Sequence, residues 1–140
     1  MNKLFLKLSA VLLTLLIFTV ATAMAGGGKK HISFTEPKDG ATVSSPVKVC
    51  MEAHGVTVEP AKKGINEGKG HHHLIIDTDL PSDLSKPIGK DGQHVHMGDG
   101  STCKELKLDA GKHVIRALFA RGNHVPYDPA VTGTVSVTVK

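Results

Sequence analysis

The chain has 140 residues, 40% of them hydrophobic and 21% charged, with a formal net charge of +4 and nine histidines. That length fits one domain or two very small ones. With 4% aromatics, no Trp and one Tyr, it lacks the aromatic platform needed to stack single-stranded nucleic acid. The charge is too modest for a phosphate-tracking surface. A nucleic-acid partner is therefore not expected.

Lys3 and Lys7 precede an apolar run from Leu8 to Val20, and Ala23-Met24-Ala25 then offers small residues where a signal peptidase reads. This is the pattern of a secretory signal peptide over residues 1–25. The competing reading is an uncleaved anchor, since Leu8 to Ala25 is just long enough to span a bilayer. Gly26-Gly27-Gly28 favours cleavage. No stable membrane insertion is then expected, and a periplasmic or secreted location is. The single domain would cover residues 26–140. Its 15 Lys/Arg and 13 Asp/Glu leave only +2, and all nine histidines stay with it.

The rest of the chain reads as short strands. His31 to Phe34 alternates, and Pro37-Lys38-Asp39-Gly40 is a turn. Val47 to Ala53 alternates with its odd positions apolar. His54 to Gly70 is a long polar connection, of the kind that is usually functional or mobile. His71 to Asp77 forms a strand centred on Leu74-Ile75-Ile76, and a turn-rich stretch with Pro81 and Pro87 follows. Gln93 to Met97, Cys103 to Leu108, His113 to Phe119 and Thr134 to Val139 complete the set. About seven such strands indicate an all-β fold, an antiparallel immunoglobulin-like β-sandwich. Leu108 to His113 resembles the corner that opens the sixth strand of such sandwiches, with His113 in place of the usual Tyr.

Two cysteines, Cys50 and Cys103, permit one bridge, 53 residues apart. In an oxidising compartment such a loop contributes roughly 4 kcal/mol in the chain-entropy model. Two free thiols on a soft metal are the alternative.

In a strand, residues i and i+2 share a face. His71 with His73, and His94 with His96, are therefore two same-face imidazole pairs. With strands alternating up and down, His54, His71 to His73, His96 and the loop residue His124 converge at one pole, where Cys103 also begins its strand. Neutral imidazole suits zinc, copper, nickel and iron. The candidate metal ligands are His71, His73, His94, His96 and His124, with His54 and Met97 as further candidates. Sulfur from Cys50, Cys103, Met51 or Met97 would favour copper over zinc, particularly Cu(I). Asp77, Asp99 or Asp128 could orient a ligand. His31 reads as incidental, and His72 faces away from its two neighbours, with Leu74 and Ile76.

Four ordered motifs carry a resemblance across nearly the whole exported chain. They are Gly70 to Asp77, His94 to Gly100, Leu106 to His113, and Asn123-His124-Val125-Pro126. Together they resemble a bacterial exported family known as domain of unknown function 4399. The resemblance implies that the three-histidine run, the His-x-His and His124 form one shared pattern; it implies no activity. Met97, where an aromatic is expected, and the cysteine pair depart from it. Locally, Gly92 to Asp99 through Cys103 resembles the copper-ligand strand of Cu/Zn superoxide dismutases. Only 37 residues follow Cys103, too few for that enzyme's zinc and active-site loops.

The leading expectation is a periplasmic metal-binding or metal-handling protein, copper ahead of zinc, acting in delivery or sequestration. It is more a carrier than an enzyme. A non-catalytic cell-envelope module with structural histidines, docking on another envelope protein, is the alternative. A small redox metalloenzyme is the second. No nucleophile motif, phosphate loop or dinucleotide fingerprint is present.

Overall fold

The nine strands among the described residues divide between two sheets that share one core. A computed structural model describes residues 27–140. The segment that reads as a signal peptide, residues 1–25, lies outside the described residues.

The strands are β1 (His31–Glu36), β2 (Ala41–Val43), β3 (Val47–His54), β4 (Thr57–Val58), β5 (Lys69–Ile76), β6 (His94–His96), β7 (Cys103–Leu106), β8 (Gly111–Ala120) and β9 (Thr132–Val139). One sheet has the order β1-β3-β7. The other runs β2-β9-β8-β5-β4, with β6 pairing β5 as well. The fold is all-β, as expected, but it differs from a seven-stranded antiparallel arrangement. Two short strands were not anticipated, and both pair in parallel: β2 with β9 and β4 with β5. The polar connection after His54 holds β4 and a 3-10 turn, Ala61–Lys63.

The alternation read from sequence decides what is buried. Ile32, Val47, Val49, Met51 and Leu106 of the small sheet meet Leu74, Ile76, Ile115, Ala117, Phe119, Val135, Val137 and Val139 of the large one in a single cluster. Burying each such side chain contributes about 1.5–3 kcal/mol. Cys50 and Cys103 lie directly opposite each other on β3 and β7, with Cα atoms 4.1 Å apart, and are joined by a disulfide.

Strand β5 is buried along almost its whole length, from Gly70 to Ile76. Its inner residues Leu74 and Ile76 enter the main core, and His72 packs edge-on against Phe119 there, at 5.3 Å between ring centres. Its outer residues His71, His73 and Ile75 face the other way. A second, smaller cluster covers that outer side. It joins Ile75, Ile88, Leu118 and Ala120, with Leu80 and Ala130 against them. The turn-rich stretch after β5 thus folds back as a cover over the outer face, and the histidines sit at the rim of that cover.

Candidate metal centre

Register places the first three rings. His73 on β5 is paired with His96 on β6, and His71 with Ala120 at the end of β8. Chain leaving Ala120 therefore passes beside His71, and four residues on it reaches His124. Three Nε2–Nε2 separations link the group: 3.0 Å from His71 to His73, 3.2 Å from His71 to His96, and 3.1 Å from His96 to His124. One ligand atom from each of His71, His73 and His96 lies within 4.8 Å of the other two. His71 and His73 are buried, His124 is half-buried and His96 is exposed.

These contacts have an electrostatic consequence. A neutral imidazole nitrogen either donates a proton or offers one lone pair. Along the chain His73, His71, His96, His124, donors and acceptors must alternate, so the two middle nitrogens would each serve two neighbours. Protons alone satisfy this arrangement poorly. A cation among the rings would take the lone pairs of His71, His73 and His96, whose ligand atoms are mutually close, and His124 stands beside it through His96. A tetrahedral ion with nitrogens at about 2.0–2.1 Å holds them about 3.3 Å apart, close to the separations seen.

Local backbone is built for this convergence. His124 has φ +66°, a left-handed conformation that a non-glycine residue adopts at a cost of order 1–3 kcal/mol. The turn is held by its N–H donating to Arg121 O at 2.8 Å, and by Ile88 N–H donating to His124 O at 2.9 Å. Gly98 lies under His96: a Cβ there would collide with the Cε1 and Nε2 atoms of the ring. Gly122 makes room in the same way for the carbonyl of Gly64. From sequence Gly98 reads only as the start of a Gly98-Asp99-Gly100 turn and Gly122 carries no signal, although a glycine two residues after His-x-His was one cue available.

A family model described as Domain of unknown function (DUF4399) matches residues 49–140, which include all four rings. The chain belongs to the DUF4399 family. No curated protein matches it. Among solved structures, the endo-beta-1,4-mannanase from Thermotoga petrophila is similar at 16% identity and a TM-score of 0.44. That match covers 80% of this chain and 20% of the enzyme's.

The other sequence candidates in this DUF4399 protein lie elsewhere. His94 turns away, its Nδ1 bonded to Asp91 Oδ1 at 2.7 Å. His54 stacks on His31 at 4.4 Å between ring centres, and its Nε2 meets Ser33 Oγ. Met97 is buried in the main core, and both cysteine sulfurs are in the disulfide. Among the described residues no sulfur donor therefore joins the four rings. Asp99 is bonded by the Ser101 hydroxyl and N–H, and Asp77 by His113 and the Val114 N–H. His113 donates from Nε2 to Asp109 O, four residues upstream, and is half-buried at the corner.

Burial and mutual repulsion disfavour the charged form of His71, His73 and His96. His71 is lowered to about 4, chiefly by burial, then by His96 and His124. His73 is lowered to about 3 by burial and by the same neighbours with His71. His96 is lowered by burial, then by His124 and Lys90, against a weaker upward pull from Asp99. Neutral imidazole is the form that binds metal. On the far side of the rings, Nδ1 of His71 and of His73 is buried without a partner among the described residues. A ligating histidine usually donates that N–H to a carbonyl or carboxylate, and lacking it costs about 10–100-fold in metal affinity. The donor set fits a cation on its Nε2 side and is unsupported behind.

Proposed function

We propose that this protein binds and handles a transition-metal ion, held by His71, His73, His96 and His124, in delivery or sequestration. The close grouping of the His71, His73 and His96 ligand atoms, with His124 Nε2 3.1 Å from His96 Nε2, carries the reading. His94 and His54 stand outside the proposed set. With only nitrogen donors, the soft-ligand reason for Cu(I) is gone, and the candidates are Cu(II) and Zn(II). The affinity order keeps copper ahead of zinc at a nitrogen site, while the near-tetrahedral spacing is zinc's preferred geometry and makes Zn(II) its direct competitor.

Export is part of the proposal. The amino-terminal pattern of residues 1–25 reads as a cleaved signal, and a disulfide suits an oxidising compartment. No helix among the described residues is long and apolar enough to cross a membrane. The periplasm or the extracellular space is the proposed location, with residues 26–140 as one domain. The His113 bond back to Asp109 and the core shared by two sheets support an immunoglobulin-like relationship for that domain.

Competition titration with Cu(II) and Zn(II) tests the function. Stoichiometric, sub-micromolar binding and a melting temperature that rises with metal are expected, because a ligand of the native state stabilises it. Absence of binding, with stability indifferent to chelators, would instead favour a structural envelope module.

A further inference from the structure

The metal set leaves charge uncompensated on one side. A cleft of about 360 Å³ opens onto the rings, lined by His73, His96, His124, Pro87, Ile88, Gly89 and Lys90. Its size lies in the range of small-molecule sites, about 300–1,000 Å³. No Asp or Glu lines it. Among the described residues Lys90 makes no ion pair with a carboxylate. Asp99, the acid whose field reaches His96, is already bonded by Ser101. A divalent ion held by four neutral imidazoles would keep its full charge and share the cleft with a second cation. Two like charges facing one cleft favour an anion between them, the more so on the side where the buried His71 and His73 rings hold the ion away from water.

The walls add a second selection. Pro87 and Ile88 supply an apolar side, and Ile88 is fixed to the His124 turn through its N–H. Head and tail requirements then differ: negative charge near the ion and Lys90, hydrocarbon against Pro87 and Ile88.

We propose that the cleft between the histidine cluster and the 87–90 segment is a binding site for a small organic carboxylate, which ligates the bound ion and pairs with Lys90. This rests on the metal-binding reading above. Such a molecule would complete the charge of the metal site as a co-ligand, and its arrival or departure would tune how readily the ion leaves. His124 is the ring best placed to yield to it, being half-buried on a loop and in contact with His96 alone among the Nε2 contacts described.

The test uses the protein loaded with Co(II), whose d–d bands report coordination number. Acetate, butanoate and benzoate are titrated in at constant ionic strength, with chloride as control. A saturable band change is expected, tighter for butanoate and benzoate than for acetate. Lys90→Gln should weaken carboxylate binding about tenfold with Co(II) loading unchanged, as loss of a charged hydrogen bond implies. Ile88→Ala should remove the preference for the longer acids. A Co(II) spectrum unmoved by millimolar carboxylate would overturn the proposal and leave metal binding standing. An equal response to chloride, or no effect of Lys90→Gln, would overturn it too. Failure of Co(II), Cu(II) and Zn(II) to load would remove the metal reading and this inference with it.

Discussion

Two groups of histidines in this molecule are set in opposite surroundings. His113 sits against a carboxylate: its Nδ1 is 2.7 Å from Asp77 Oδ2. Asp77 raises its pKa, with the Asp109 carbonyl adding to the effect. His71, His73 and His96 have no acid among their ring contacts, only one another and His124, and burial lowers all three. One setting favours holding a proton. The other keeps lone pairs free and aims them at a common point. Residue type alone does not separate these roles; the neighbouring charge does.

The sharpest break of that contrast is His71→Ala, which removes the ring touching two of the other three. Metal affinity should fall by more than about 100-fold, beyond what an outer residue costs. Competition titration reads it. If affinity holds, the cluster is not the ligand set.

Acid should act in opposite senses on the two settings of the metal-free protein. His71, His72 and His73 are lowered to about 4, about 4 and about 3, chiefly by burial. Below 6.5 the unfolded chain takes up protons that the fold refuses. Stability should therefore drop by about 1.4 kcal/mol per pH unit for each histidine kept neutral. The His113–Asp77 pair works the other way. The His113 contribution is complete below 6.5 and is lost as pH rises through its raised folded pKa. For Asp77, burial acts upward but the bonds from His113 and Val114 outweigh it, so its contribution is lost only as pH falls below 3.8. His113→Ala should thus cost roughly 1 kcal/mol between 3.8 and 6.5, after screening of the part-exposed Asp77, and less at alkaline pH. Denaturant melts across pH would reveal both signs.

Gly98→Ala should weaken metal binding about tenfold by driving the His96 ring off its place, with the fold retained. The smallest effect belongs to His94→Ala. Its ring faces Asp91, so affinity should stay within about threefold of the unaltered protein, as for an ordinary surface substitution.

Much of this was legible in the alternation of β3, β8 and β9, and in the continuous apolar run of β5. The i, i+2 rule placed His71 and His73 on one face with His72 opposite, which is how β5 is built. It failed to separate His96 from His94, because a shared face does not decide which ring lies over the neighbouring strand's histidine. Register decides that: His96 is opposite His73, while His94 is opposite Ile75. The strands β2 and β4, three and two residues long, carry no periodicity, and the parallel partner of β2 lies 96 residues along the chain (Ala41 to Val137). His54 was expected at the same pole, but its strand belongs to the other sheet, where it pairs with His31. The cover formed by Pro87 to Lys90 had no pattern beyond its prolines.

X-ray absorption at the zinc edge of the zinc-loaded protein tests the central claim most directly. Four nitrogen neighbours at about 2.0–2.1 Å, with imidazole outer-shell scattering and no sulfur, is the predicted result. A shell dominated by oxygen, with at most one imidazole, would contradict it.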